Sequence, residues 1–575
     1  MATVDNRAIE AALNEIAQLL ELKGENPFKV RAYQNGARAV ANMQEDVASL
    51  VEAGELKGVK GIGKSLQEKL QELVETGELT YLEELREGVP PGLFDVLEVP
   101  GLGPKKVKAL WDTLNVVDLP GLRRVCDSGE VATLKGFGKK TQENILKGIV
   151  ALERIGGRRL RSDVLEPAAA LRAVLEAVPG VERVQVGGSL RRGRETVKDV
   201  DLLVASKDAE PVMAAVRDYP PVDEVIGSGS TKTSVRLKTG LQVDVRVVAP
   251  ESFACALAYF TGSKQFNVAL RGLALDQGYS LNEYHLNPLD GSEPPVLASE
   301  EELFAKLGLA YVPPELRENT GEVEAAQQGA LPELVEADDL RGVLHVHSTW
   351  SDGVDSVEEL VARAAELGYA YIGISDHSQA AHYANGIGPE QIAQQAEEIA
   401  AARAAHPEIK VLHGIECDIL SDGSLDLPDD CLETLDFVIA SVHSELKMNS
   451  EAMTARLVKA VSHPRVNVLG HPSNRKLPKR EPSSFDWEPV LEAAAKHGVA
   501  IEVNGHPRRL DCDWVHIRRV IKKGVKLCVN PDAHSVDALD DARRFAVVEA
   551  RRGWATKGDV LNTLDADAFV AALEG

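Results

Sequence analysis

GGSLRRGRETVKDVDLL, residues Gly187–Leu203, joins a glycine pair and a serine to a basic turn, then to two aspartates separated by one apolar residue. Val200 and the run Leu202-Leu203-Val204 mark a buried or half-buried strand, on which residues i and i+2 leave the same face. Asp199 and Asp201 therefore project together, a costly arrangement unless a cation lies between them. Oxygen-only ligands of this kind suit Mg²⁺ or Mn²⁺, with the phosphate oxygens of a substrate completing the octahedron. Two ions need a third carboxylate, and the strand-like run LQVDVRVV supplies Asp244. Ions about 3.5–4 Å apart clamp the attacking and leaving oxygens of a phosphoryl transfer. Gly188-Ser189 lets backbone N–H groups approach a phosphate closely. Arg191, Arg192 and Arg194 supply charge to neutralise a triphosphate.

Each piece alone is common, since most Asp-x-Asp pairs on strands are solvated and most Gly-Ser pairs are only turns. The ordered set is far more specific. With YFTGSKQFNVALR (Tyr259–Arg271) it resembles the nucleotidyltransferase superfamily of DNA polymerase beta and, within it, the family X DNA polymerases. The resemblance implies that Asp199, Asp201 and Asp244 are catalytic metal ligands, with Asp244 taking the proton of the primer 3′-hydroxyl. It implies triphosphate contacts from Gly188, Ser189 and Arg192, and a sugar gate of Tyr259 and Phe260 beside Gly262. Asn267 then meets the base edge and Arg271 the template side. One position departs from the pattern: Lys198 precedes the first aspartate where the family usually carries glycine.

N-terminal to this core, residues 1–85 read as helical, with breaks at Asn26-Pro27 and around Gly58–Gly63. GVKGIGKSLQEKL (Gly58–Leu70) is nearly repeated as VPGLGPKKVKAL (Val99–Leu110) and LKGFGKKTQENI (Leu134–Ile145). A Gly-x-Gly that opens a helix presents free backbone N–H groups and the positive end of the helix dipole. Such a turn grips a DNA phosphate without reading bases and needs few net charges. The three copies, with Lys64, Lys105 and Lys139 adjacent, resemble helix-hairpin-helix DNA-binding motifs. They nominate Gly61, Gly63, Gly101, Gly103, Gly136 and Gly138 as phosphate contacts. The first copy is similar to the lyase-type domain of family X, which implies a Schiff-base role for Lys69 and a 5′-phosphate pocket at Lys29 and Tyr33.

The last part of the chain has a different chemistry. Thirteen of the fourteen histidines lie beyond residue 340. Seven apolar runs alternate with helical stretches there, and most end in ligand-type residues: VLHVHS, YIGISDH, VLHGIE, FVIASVH, VNVLGHP, AIEVNG and KLCVNPDAH. Strand–helix alternation implies a parallel sheet, and this many units suggests closure into a barrel. Functional groups of such barrels gather at the carboxyl ends of the strands. Mixed imidazole and carboxylate donors suit Zn, Mn or Fe rather than Mg alone. One such histidine is usually a core residue satisfied by backbone groups, but six at one end of a barrel with three carboxylates are not. The runs resemble the PHP (polymerase and histidinol phosphatase) family, which implies nine metal ligands: His345, His347, Asp352, His377, Glu416, His443, His471, Asp532 and His534. These would hold up to three ions, Mn²⁺, Zn²⁺ or Fe²⁺, that activate water against a phosphorus centre.

A length of 575 residues fits three or four domains. The reading divides them as 1–85, a helical lyase-like domain; 86–160, a helical DNA-binding subdomain; and 161–317, an α+β nucleotidyltransferase palm with a mixed sheet. A linker at 318–340 and a distorted (β/α)7 PHP barrel at 341–575 follow. The net charge of −25 argues against nucleic acid until its distribution is seen. Residues 318–575 carry 25 Lys+Arg against 43 Asp+Glu, so −18 of it lies in the last part. No apolar run approaches the roughly 18–20 residues that cross a membrane. The six cysteines form no C-x-x-C pair, so neither a disulfide framework nor a thiolate zinc site is indicated. A cytoplasmic monomer without membrane partners is expected, nucleoid-associated when bound to DNA.

The order of the two resemblances matches bacterial family X polymerases with a C-terminal PHP domain. It implies short-gap filling on gapped or nicked duplex DNA from deoxynucleoside triphosphates, in base-excision or end-joining repair. The barrel would add a 3′→5′ exonuclease, with abasic-site endonuclease or 3′-phosphatase action as further expectations. The alternative is a PHP phosphoesterase whose transferase part has become a non-catalytic DNA clamp.

Overall fold

The computed structural model describes residues 6–41, 47–53, 56, 62–76, 79–90, 92–97, 99, 101–155 and 157–574. It forms two compact units, Met1–Gly157 and Arg158–Gly575.

The first unit is helical: α1 (Asn6–Lys23), α2 (Pro27–Ala41), α3 (Val47–Ala53), α4 (Lys64–Thr76), α5 (Thr80–Arg86), α6 (Gly92–Leu97), α7 (Pro104–Leu114), α8 (Leu119–Asp127) and α9 (Lys139–Ile155). Gly63, Gly103 and Gly138, the second glycine of each motif, stand directly before α4, α7 and α9. The residue between the glycines (Ile62, Leu102 or Phe137) is buried in the helical core. At the second and third motifs that side chain pins the turn while the glycines on either side of it are exposed. Gly101 (φ +85°) and Gly136 (φ +88°) have left-handed backbone that only glycine adopts freely. A Cβ on Gly63, Gly101, Gly103, Gly136 or Gly138 would meet nothing within 4 Å, so the backbone there is open to a ligand. Gly61 lies outside the described residues.

The second unit starts with α10 (Arg161–Glu176), β1 (Val181–Val186), α11 (Gly188–Arg191), β2 (Asp199–Ser206), α12 (Glu210–Arg217), β3 (Val222–Ser228), β4 (Lys232–Leu237) and β5 (Gln242–Val248). The sheet order is β1-β2-β5-β4-β3. β2 and β5 are parallel and the other pairs antiparallel, so the sheet is mixed. Helix α10 runs through Pro167. Its start is fixed by tertiary contact, because the Arg161 guanidinium donates to the Arg544 carbonyl at 3.0 Å. Then come α13 (Phe253–Thr261), α14 (Lys264–Asp276) and α15 (Glu300–Lys306). The stretch read as a linker carries a helix, α16 (Glu322–Gln327). Val323, Ala326 and Leu334 pack into the same apolar cluster as Phe266 and Phe304.

Beyond it, strands and helices alternate as β6 (Gly342–Val343), α17 (Val357–Glu366), β7 (Tyr371–Ile374), α18 (Pro389–Ala405), β8 (Lys410–Asp418), α19 (Asp429–Leu432) and β9 (Phe437–Ser441). The series continues as α20 (Ser450–Val461), β10 (Val468–Leu469), α21 (Trp487–His497), β11 (Ala500–Asn504), α22 (Trp514–Lys522), β12 (Leu527–Asn530) and α23 (Val547–Arg552). The seven strands pair in parallel in sequence order. A bridge between Val346 and Ala533 brings the first strand against the last, nearly closing the barrel. Such strands are buried on both faces and read as continuous apolar runs. Gly373 and Gly414 leave the space that the Phe437 ring fills inside the barrel. A last helix, α24 (Ala566–Glu574), places Phe569 in this inner cluster, stacked on Tyr371 at 4.3 Å.

Candidate functional site

The palm sheet brings its three aspartates to one face. Parallel register sets Asp201 opposite Asp244, with Asp199 two residues before Asp201. The glycine turn closes over them: Gly188 has φ +61°, and a Cβ there would overlap the Asp201 carboxylate. Burial, then the neighbouring Asp199 and Asp244 carboxylates, push Asp201 up to about 6. Asp244 is held below its usual value. Burial acts against that, but hydrogen bonds from Lys232, Ser234 and Gln242 outweigh it. The Lys232 ammonium stands 2.7 Å from the Asp244 carboxylate. Sequence reading missed this lysine, whose alternation on β4 is that of any half-buried strand. Asp201 and Asp244 line one small pocket with Gly187, Arg246 and Phe260. The donors fit a divalent cation, because like charges crowd here beyond what one lysine neutralises.

Beside this pocket, the expected triphosphate contacts gather around a cavity of about 460 Å³, lined in part by Ser189, Arg192, Arg194 and Lys264. Arg192 donates to the Thr261 carbonyl at 2.5 Å and pairs with Glu318 at 3.1 Å. Gly262 leaves room for that guanidinium, since a Cβ would lie 3.1 Å from Arg192 Nη1. Arg191 turns away from the cavity to Glu300, at 2.6 Å. Tyr259 and Phe260 meet edge to face, and the Asn267 amide donates to the Tyr259 carbonyl at 2.7 Å. Arg271 is exposed on α14, and so is Lys198 ahead of the aspartates.

In the barrel all nine expected ligands converge at the carboxyl ends of the strands. Four groups have ligand atoms within 4.8 Å of one another: His347/Asp352/His377/His534, His345/His471/Asp532, His345/His347/Glu416 and His377/Glu416/His443. Among the described residues the palm aspartates form no group this tight. Glu416 is the hub, lying 2.8 Å from His377, 2.9 Å from His471, 3.2 Å from His345 and 3.3 Å from His443. Many of these buried atoms lack hydrogen-bond partners, among them His345 Nε2, both ring nitrogens of His347 and of His443, Asp352 Oδ1 and Glu416 Oε2. Buried polar atoms are almost always satisfied, so these donors fit metal ions. Burial, then His534 and His377, hold His347 down at about 3, which keeps it as the neutral imidazole a metal needs. His471 (φ +25°) and Asp532 (φ +55°) sit in strained backbone, as residues fixed for a site often do.

Outer contacts orient these ligands. Glu502 meets His345 Nδ1 at 2.6 Å and accepts the His471 backbone N–H at 2.7 Å. Asp376 is a buried support: it accepts from Ser348, Ser351 and Gln395. His413 is held by Gln395 at 3.0 Å and ligates nothing. His506 borders the ligands, with its pKa lowered to about 4 by burial, with Arg509 and His534 adding to this against Asp532. Arg509 was not read from the sequence; it pairs with Asp532 at 3.1 Å while its Nη1 is buried without a partner. Tyr383, 70% exposed, stands at the mouth with its ring 6.1 Å from that of His377.

In the helical unit, the residues expected to form a lyase pocket do meet. Lys69 Nζ lies 4.6 Å and Lys29 Nζ 5.4 Å from the centre of the Tyr81 ring, which stacks on Tyr33. Lys105 and Lys139 are exposed at the first turns of α7 and α9.

Models of a helix-hairpin-helix domain and a SAM-like helix-hairpin-helix tandem match residues 4–79 and 94–150. The DNA polymerase beta thumb matches 256–318 and the PHP domain 344–506. The DNA polymerase/3′-5′ exonuclease PolX of Bacillus subtilis strain 168 is 38% identical over 563 residues, 97% of this chain and 98% of that protein. A probable phosphatase of Caldanaerobacter subterraneus is 35% identical over 156 residues, 24% of this chain and 57% of that protein. Another, of Caldicellulosiruptor saccharolyticus, is 32% identical over 205 residues, 33% of this chain and 78% of that protein. No helix among the described residues is long and apolar enough to cross a membrane.

Proposed function

The chain belongs to the family X DNA polymerases that carry a C-terminal PHP domain, and on that premise we propose that it extends primers on gapped duplex DNA and trims 3′ ends in the barrel. One observation carries the reading: two separate sets of metal donors, carboxylates on β2 and β5 and mixed imidazoles and carboxylates on the barrel rim, stand in one chain. Bound at the two sites, divalent ions would supply charge neutralisation and activation of the attacking oxygen. We assign Mg²⁺ or Mn²⁺ to the palm, and Mn²⁺, Zn²⁺ or Fe²⁺ to the barrel.

The chain's own residues do the rest. Asp199, Asp201 and Asp244 hold the ions, and Asp244 accepts the primer hydroxyl proton, its carboxylate kept ionised by Lys232. Ser189, Arg192 and Arg194 receive the triphosphate, Tyr259 and Phe260 exclude a wrong sugar, and Asn267 meets the base. In the barrel, Glu502 fixes the ring of His345, and Arg509, paired with the ligand Asp532, supplies positive charge for the phosphate. The open glycine turns before α4, α7 and α9 hold the DNA backbone. Lys69, Lys29 and Tyr33 form a 5′-deoxyribose-phosphate lyase pocket.

The test uses a gapped duplex with a 5′-phosphate, with and without nucleotides. Asp199→Ala/Asp201→Ala abolishes synthesis and spares degradation, and His345→Ala/His347→Ala does the reverse. One pair removing both activities from a folded protein would overturn the two-site reading.

A further inference from the structure

The turn between the glycine pair and the first palm aspartate does not end in solvent; it rests on the barrel. Gly193 (φ +69°) lies against α23, where a Cβ would overlap Val548 and come within 3.5 Å of Arg161 Nη1 and Arg552 Cδ. Two residues on, Glu195 pairs with Arg552 at 2.9 Å and Arg475 at 3.5 Å. Both arginines belong to the barrel, and both are buried. Burial would raise the Glu195 carboxyl, but these cations hold it down at about 2. Arg552 also stands 4.0 Å from Glu318, the carboxylate that pairs with Arg192 at 3.1 Å and Arg194 at 3.6 Å. A barrel residue reaches the phosphate cavity itself: Trp514, first residue of α22, lines it with Arg158, Arg192, Arg194 and Lys264. Asp513 caps that helix, accepting the Val515 and His516 backbone N–H groups at 3.0 Å, and the Arg552 guanidinium lies 5.5 Å from the centre of the Trp514 ring.

We propose that the triphosphate subsite of the polymerase is composite, with Trp514 of the PHP barrel as its outer wall and the Arg552–Glu195 pair as the brace that positions Arg192 and Arg194. Four cationic side chains and one carboxylate, Glu318, face a cavity large enough for a triphosphate. An indole there excludes water, which strengthens each phosphate contact, and its π face favours adjacent guanidinium groups. The nuclease module is then a structural part of the synthesis site, which explains why the 193–195 turn carries glycine and glutamate. Trp514 and Glu195 are positioning residues.

The inference rests on the polymerase reading, and the test separates the two. Full-length wild type, Trp514→Ala, Trp514→Phe and Glu195→Gln are compared for KM and kcat in single-nucleotide gap filling, for exonuclease on single-stranded DNA without nucleotides, and for tripolyphosphate binding by calorimetry. Trp514→Ala raises KM for the nucleotide about tenfold with kcat little changed and weakens tripolyphosphate binding by a similar factor. Trp514→Phe recovers most of both, Glu195→Gln raises KM, and exonuclease is unmoved in all three. Wild-type extension with KM and tripolyphosphate binding unaltered in Trp514→Ala overturns the composite subsite alone, as does parallel loss of both activities. A wild type that extends no primer sinks the polymerase reading, and the calorimetric comparison still decides the subsite.

Discussion

Asp201→Asn should cost all synthesis yet stabilise the metal-free protein above pH 6. The half-buried Asp201 carboxyl titrates near 6 in the fold against 3.8 in an open chain, because of burial and the adjacent Asp199 and Asp244. Between these values the folded state binds more protons than the unfolded one, so stability falls as pH rises through the window. Moving the carboxyl from 3.8 to about 6 corresponds to roughly 3 kcal/mol, lost fully by pH 7 to 8. Asparagine fills the same space without the charge, so the variant avoids that loss. Urea unfolding of both proteins in chelator, at pH 4 and pH 8, reads the difference. The variant should match wild type at pH 4 and exceed it by up to about 3 kcal/mol at pH 8. Saturating Mg²⁺ or Mn²⁺ should shrink or reverse the gain, because only wild type keeps the full set of oxygen ligands. Equal stability of the two proteins at pH 8 in chelator, or a gain that metal leaves unchanged, would refute the claim that crowded negative charge holds this site ready for cations.

Three other outcomes are expected. Glu502→Gln, which weakens the 2.6 Å contact to His345, should lower metal affinity of the barrel about 10- to 100-fold, read by metal titration of exonuclease; unchanged affinity removes the orienting role. Gly188→Ala, at φ +61° and against Asp201, should cut synthesis by about 100-fold or more while exonuclease on single strands stays at the wild-type rate. Lys69→Ala should abolish borohydride trapping on an abasic 5′ end, and an undiminished adduct would remove Lys69 from the proposed lyase pocket.

How much of this was readable depends on whether the chemistry is local in sequence. Asp199 and Asp201 sit two apart on one strand, and most barrel ligands lie at the ends of successive apolar runs, so pattern marks the candidates and the family resemblances supply the full ligand sets. The hub role of Glu416 is not visible in VLHGIE, because a central position depends on four histidines from other strands. Nor could Lys232, Arg509 or Trp514 be singled out, since each lies in a pattern that an ordinary strand, loop or helix start would also show. The 318–340 stretch read as a linker from Pro332 and its Glu/Ala run; the apolar signal of α16 is only Val323 and Ala326, too little to announce packing.

A chain of net charge −25 can still serve nucleic acid. Part of the acid is committed inside the fold. Glu416, Asp532 and Glu502 face imidazoles, Glu195 and Glu549 face buried Arg552, and Glu318 faces Arg192. Carboxylates engaged this way project little field into solvent, so net charge overstates the repulsion a phosphate backbone meets. The DNA grip proposed for the helical unit draws on backbone N–H groups at exposed glycine turns, which carry no formal charge. Total charge therefore says little about the partner here; what matters is which charges remain unpaired at the surfaces and clefts that phosphates reach.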